Sequence, residues 1–345
     1  MLFAALLQTL KKALKKNNPH MTTTQSNLEI NRPPSTVHRR IVALAGGVGG
    51  AKLAHGLAMN LPPEDLTVIV NTGDDFEHYG FYICPDLDTV CYTLAGLANP
   101  DTGWGRVDES WNAISNASRL GGPGWFNLGD QDLGTHLERT RRLNGGQCLS
   151  EITRDFCQAW GIQQTILPMS NQKVRTIVNT NEGELAFQEY FVHRRCEPQV
   201  KSFRFEGVEE AEPAPGVREA IQSADAIVIC PSNPWVSIDP ILKVFKGEGL
   251  GERVFAVSPI IGGETVKGPA AKMYRELGIE PSALAVAHHY RDLVRGFVID
   301  TIDRSLQGEI TELGMKVLVT NTLMKSHDDR SRLAQELLGF IGNSL

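Results

Sequence analysis

Cysteine, aromatic residues and net charge are all modest in this chain, and each shortage removes a class of protein. Its six cysteines, Cys84, Cys91, Cys148, Cys157, Cys196 and Cys230, are widely spread among 345 residues with no CxxC pair. Neither a zinc knuckle nor a disulfide framework is indicated, and they read as reduced thiols of a cytoplasmic protein. The formal net charge is -6, and the lysines and arginines form no long stripe, which argues against a nucleic-acid partner. No apolar run reaches the roughly 18 residues that a membrane span needs. What remains is an ordinary globular composition, 41% hydrophobic and 21% charged, long enough for a sizeable core.

Residues 1–38 stand apart. Within MLFAALLQTLKKALKKNNPH the lysines 11, 12, 15 and 16 follow the apolar stretch, the reverse of the order in a secretory signal. The segment is expected to be a disordered extension or a start placed too early, Met21 being the second start. A membrane-surface anchor is the less favoured reading.

From Ile41 the runs IVALAG, GVGG, AKLAHGLAMN and, after Pro62-Pro63, TVIVN predict strand, glycine loop, helix and strand. That is the opening of an α/β, Rossmann-like fold, a mostly parallel sheet with helices on both faces. Further strands are expected in VRTIVN (174–179), DAIVIC (225–230), RVFAVS (253–258), GFVID (296–300) and KVLVT (316–320). Helices are expected at 86–98 behind Pro85, at 216–223, and at 326–339 behind a Ser-His-Asp-Asp capping box. The folded part is read as one domain, 39–345. Residues 100–210 are read within it as a largely helical insertion, with helices near 107–119, 131–143 and 150–160 and a short β element at 184–192.

The chemistry concentrates at strand ends. In LAGGVGGAK, a strand running through Gly46, Gly47, Gly49 and Gly50 into a helix brings backbone amides and the positive helix end to one point, which suits a phosphate. Lys52 stands where a dinucleotide fingerprint would have its last glycine, and no GK[ST] follows, so neither standard phosphate motif applies. NTGDDFEHYG (71–80) sets Asp74 and Asp75 beside that loop, where two carboxylates suit a magnesium ion bridging phosphates; Glu77 and His78 read as a solvated loop. CPDLDTV (84–90) adds Asp86 and Asp88, one expected as a helix cap and the other as metal ligand or hydroxyl activator. In WFNLGDQDLGTH, Asp130, Asp132 and His136 read as structural, the last two as an i,i+4 pair. Ser232 and Asn233 in PSNP, and Ser258, Gly262, Gly263 and Lys267 in SPIIGGETVKG, sit at further strand ends and suit a nucleotide. His288 and His289 are adjacent and so point apart.

LAGGVGGAK, NTGDD, CPDLDT, the GWG at 103–105, LGDQDLGTH, PSNP and SPIIGG, in that order, closely resemble the CofD family, the 2-phospho-L-lactate transferases of coenzyme F420 biosynthesis, from about Ile41 to Met324. The resemblance implies a magnesium-dependent transfer from a guanosine diphosphate carrying lactate or enolpyruvate to the deazaflavin FO, with release of GMP. It implies a diphosphate cradle at the glycines and Lys52, metal at Asp74, Asp75 and Asp88, and catalysis by Asp88 and Asp86. Guanosine contacts are implied at Ser232, Asn233 and Ser258, with the deazaflavin stacked near Trp104 and Trp125 and part of the acceptor site in the insertion. Gln131 departs from the arginine that many family members carry inside GDxD, which weakens a substrate contact there. The substrates are small molecules; the sequence leaves the oligomeric state open, a homodimer being one possibility.

Two other classes compete. A nicotinamide oxidoreductase would want GxGxxG and a ribose-binding acid about 20 residues on, which Lys52 and NTGDD argue against. A nucleotide-sugar-binding regulator of the gluconeogenesis-factor type shares the core, but CPDLDT and GDQDLGTH favour the transferase.

Overall fold

The computed structural model describes residues 39–246, 250–265 and 270–345. The readings of residues 1–38 and of Lys267 fall outside the described residues.

Strand β1 (Ile41–Ala45) leads through Gly46 into α1 (Gly47–Asn60) and returns as β2 (Leu66–Val70). A short hairpin, β3 (Phe76–His78) and β4 (Phe81–Ile83), precedes α2 (Pro85–Leu94). Helices α3 (Asn112–Arg119), α4 (Asp130–Asn144) and α5 (Leu149–Ala159) come next, then β5 (Thr165–Pro168). The antiparallel strands β6 (Arg175–Thr180), β7 (Gly183–Ala186) and β8 (Val200–Glu206) form a sheet of their own. The chain continues through α6 (Val217–Ser223), β9 (Ala226–Ile229), α7 (Asp239–Val244) and β10 (Val254–Val257). The ribbon β11 (Ile260–Ile261) and β12 (Glu264–Thr265) follows, with α8 (Ala270–Glu276) and α9 (Ala283–His289). β13 (Gly296–Asp300), α10 (Gln307–Glu312), β14 (Lys316–Thr320) and α11 (His327–Gly342) complete it.

The main sheet is parallel throughout, in the order β14-β13-β10-β9-β1-β2-β5. The expected α/β class holds, and the reason is legible in β1. Val42 and Leu44 join the core on one face, Ile41, Ala43 and Ala45 the core on the other. A strand buried on both faces must be apolar along its whole length. The chain builds outward from β1 to β2 and β5, then returns to the other side of β1 as β9. The reversal between β1 and β9 is a topological switch point, where α/β folds open a crevice at the carboxyl ends.

The middle of the chain departs from expectation. Residues 100–210 are not one inserted block, because β5 lies inside that span and pairs with β2 from Thr67↔Thr165 to Val70↔Pro168. Four residues ending in proline make a weak strand signal, and proline is tolerated here because β5 is an edge. VRTIVN forms β6 of the antiparallel sheet, not a main-sheet strand. ELAFQEYFV is strand only as far as Ala186; Glu189–His193 is a π-helical turn. The helix behind Pro85 ends at Leu94 rather than Ala98. Ser326 does cap α11, with its hydroxyl accepting from the Asp329 amide.

Helix α1 packs tightly on α11: a Cβ at Gly56 would stand 2.2 Å from the Arg330 carbonyl oxygen. Gly56→Ala is therefore expected to lose about 1–3 kcal/mol despite alanine's better helix propensity. A denaturant melt that shows the variant equal to or more stable than the parent contradicts this packing.

Candidate active site

The glycines at the end of β1 are required first by the protein itself. A Cβ at Gly46 would lie 2.7 Å from both Asp86 Oδ2 and Ser237 Cβ, at Gly49 2.2 Å from the Pro231 carbonyl, and at Gly50 2.6 Å from Ser232 Oγ. Gly47 takes a φ of +59°, which only glycine adopts at no steric cost. The loop after β9 thus presses directly on the loop after β1. Ser232 Oγ clasps the two: it accepts from the Gly46 amide at 3.1 Å and donates to the Gly46 carbonyl at 2.7 Å.

The helix ladder leaves the amides of Gly46, Gly47, Val48 and Gly49 without partners of its own. Ser232 takes the first and Asp86 the second, and the hydrogen bonds among the described residues give those of Val48 and Gly49 no side-chain acceptor. Both residues line a cavity of about 870 Å³ that opens over the strand ends. That is near the upper end of the roughly 300–1,000 Å³ common for small-molecule sites, large enough for two substrates side by side.

On the polar wall the acids divide into two kinds. Asp86 is not the cap of its own helix; its carboxylate accepts from Asn71 Nδ2 at 2.9 Å and from the Gly47 amide. Burial pushes its pKa up to about 6 against those hydrogen bonds. Asp74, also buried and lining the cavity, is raised well above the usual carboxylate range by burial, then by Asp86 and Asp75. Its Oδ1 accepts no hydrogen bond. Asp88 is the opposite case. Both its oxygens are held by the buried guanidinium of Arg139, one at 3.0 Å from Nη1 and the other by Nη2.

The implied magnesium ion is tested by this arrangement. Among the described residues no three His, Cys, Asp or Glu side chains converge as a ready-made metal cage. Mg²⁺ usually takes one or two carboxylates and fills its other positions with substrate phosphate and water. Asp74 with Asp86 fits that pattern, as paired oxygen donors beside the free amides. Asp88 and Asp75, expected as metal ligands, fit poorly. Asp88 is already neutralised by Arg139, and Asp75 does not line the cavity but is buried against Cys84.

The opposite wall is aromatic. Trp104, Trp125, Phe126 and Phe191 face the cavity, and Trp125 is fixed by His193 stacked on it at 5.1 Å with the rings 22° apart. Beside this wall Tyr92 donates to Asp132 Oδ1 at 2.6 Å, while His136 Nε2 lies 3.3 Å from the same oxygen and Nδ1 faces Arg139 Nη1 at 3.2 Å. Asp132, His136 and Arg139 share one face of α4, at spacings of four and three residues. The sequence held that signal, and it reads as a surface pair only because Asp88 comes from a distant segment.

Other expected contacts resolve differently. Gln131 is exposed and outside the cavity, its amide donating to the Asp108 carbonyl at 2.8 Å. Asp130 caps α3 through the Asn112 and Ala113 amides. Asn233 Oδ1 accepts from its own Trp235 amide, and Ser258 Oγ turns back on Ile260. Asn233 and Ser258 line the cavity, with Oδ1 of the one and Oγ of the other taken up by their own loops. Gly50 is buried and off the cavity, a packing glycine. Lys52 does line the cavity, with Nζ donating to the Met324 carbonyl at 2.9 Å.

Two predictions follow from the charges. A carboxyl raised in the fold removes stability as pH rises from its unfolded value, about 4, through its folded one. Asp74→Asn should thus raise the melting temperature at pH 7.5 by about 2 °C or more and have almost no effect at pH 4; a gain independent of pH contradicts the assignment. Removing either Asp88 or Arg139 strands a buried charge, a loss of about 3–5 kcal/mol for each alanine variant. The double variant should lose clearly less than the sum; additive losses contradict the pairing.

The family model for 2-phospho-L-lactate transferase CofD matches residues 41–331. A phosphoenolpyruvate transferase of Streptomyces griseus is 43% identical over 310 residues, covering 87% of this chain and 97% of that protein. A 2-phospho-L-lactate transferase of Methanothermobacter thermautotrophicus is 40% identical over 306 residues, covering 87% and 98%. The crystal structure of a UPF0052-family protein from Bacillus halodurans superposes with a TM-score of 0.56 at 15% identity, covering 87% of this chain and 98% of that one. That last likeness concerns the fold alone.

Proposed function

The chain belongs to the 2-phospho-L-lactate transferase CofD family, and from that premise we propose that it transfers a phospholactyl or phosphoenolpyruvyl group from a guanosine diphosphate donor to the terminal ribityl hydroxyl of FO, releasing GMP. The observation that carries this reading is a single cavity joining two unlike walls. One has unspent helix amides and paired acids suited to a diphosphate; the other has tryptophans suited to a flat ring.

In this mechanism the Val48 and Gly49 amides and the α1 dipole hold the diphosphate. Asp74 and Asp86 are the residues to hold a magnesium ion, which when bound supplies charge neutralisation at the phosphates. Asp86 also fixes the loop by accepting from Gly47, so donor and metal share one anchor. Trp104 and Trp125 stack on the deazaflavin and set its side chain toward the phosphate. Arg139 keeps Asp88 buried in position on α2, which makes Asp88 a structural support of the site rather than its reactive acid. Phosphoryl-type transfer depends mainly on such positioning and charge balance.

Incubation with FO, Mg²⁺ and an enzymatically generated guanylylated lactate or enolpyruvate donor is expected to yield GMP and a more anionic deazaflavin. Chelation should abolish turnover and added Mg²⁺ restore it. Tight binding of a nucleotide sugar without GMP release from either donor would instead support the regulator.

A further inference from the structure

We propose that Asp132 is the general base of the transfer, taking the proton of the acceptor hydroxyl on Oδ2. This rests on the transfer reading above. As the acceptor oxygen bonds to phosphorus, the phosphoanhydride P–O bond breaks, its electron pair leaves on the GMP phosphate, and the hydroxyl proton passes to Asp132.

Elimination and geometry converge on this residue. The other described carboxylates of the cavity are committed. Asp88 is bound at both oxygens by Arg139, Asp86 serves Asn71 and Gly47, and Asp74 belongs to the donor end. The side-chain contacts of Asp132 with Tyr92 and His136 both run to Oδ1. Its side chain keeps 16% of its surface open, at the cavity. The Glu109 carboxylate, which accepts from the Asp132 amide at 2.8 Å, holds the backbone at this position, and the two side-chain partners occupy Oδ1 and not Oδ2. A guanidinium can only donate, so Arg139 facing Nδ1 places the ring proton of His136 on Nε2, the nitrogen that lies 3.3 Å from Asp132 Oδ1. His136 is therefore a positioning residue and not itself the base.

Asp132 opens α4 just after the segment carrying Trp125 and Phe126, the wall that takes the acceptor ring. Hydrogen bonds from His136 and Tyr92, with Arg139 nearby, hold its carboxyl below the usual range in spite of burial. It is ionised at neutral pH. A weak base suffices where the transition state is loose and the proton moves late, as with the catalytic aspartate of protein kinases.

The test uses wild type, Asp132→Asn, Asp132→Ala and Tyr92→Phe in the GMP-release assay, with folding checked by melting. Asp132→Asn is expected to lower kcat by about 10²–10⁴-fold with KM for both substrates little changed. Asp132→Ala should regain turnover with added formate. Tyr92→Phe, which removes one donor to Oδ1, should move the acidic limb of the kcat profile to higher pH. Near-normal kcat in Asp132→Asn overturns the assignment, as does a folded Asp132→Ala that formate leaves inactive, or an unmoved limb in Tyr92→Phe. Absence of GMP release by wild type overturns the transfer reading instead.

Discussion

Four buried carboxylates, those of Asp74, Asp75, Asp86 and Asp88, crowd one end of this sheet, and of the four only Asp88 forms an ion pair with a described residue. Such an arrangement is costly, since each charge has left water and the like charges oppose one another. It persists because the fold elsewhere holds the segments in place: β2 delivers Asp74, Pro85 starts the helix that carries Asp86, and Asn71 bridges the two. The same account explains the division of labour within PDLDT. The acid beside the glycine loop holds Asn71 and the Gly47 amide, while its neighbour two residues on is neutralised by an arginine from α4.

How much was legible follows the range of the interactions. Strands such as β13 and β14 coincide with their sequence runs because an apolar stretch buried on two faces needs no other information. The capping box at Ser326 is equally local. β5 escaped because four residues ending in proline carry little periodicity, and its place is set by pairing with β2.

At the site, the loops and their acids were visible in sequence, but the roles inside them were not. Asp88 stood out as the reactive acid because its partner, Arg139, lies 51 positions away. Gln131 drew attention through a family pattern, yet its side chain serves the 107–108 turn. Ser232, legible as a polar residue at a strand end, also clasps the Gly46 loop. In each case the residue type limited what the side chain could do, and packing from a distant segment decided which use it found.

The clasp between Ser232 and Gly46 joins positions 186 residues apart, and Lys52 meets Met324 across 272. Contacts of such separation carry a loop-closure cost and slow folding. During synthesis the glycine loop is made early, but it cannot acquire its final shape until the loop after β9 has been made and has docked. A nascent or truncated chain lacking that loop has the glycine sequence without the shape that the clasp gives it. The shape of the first loop is thus tied to a segment that is made only after β2, β5 and β9.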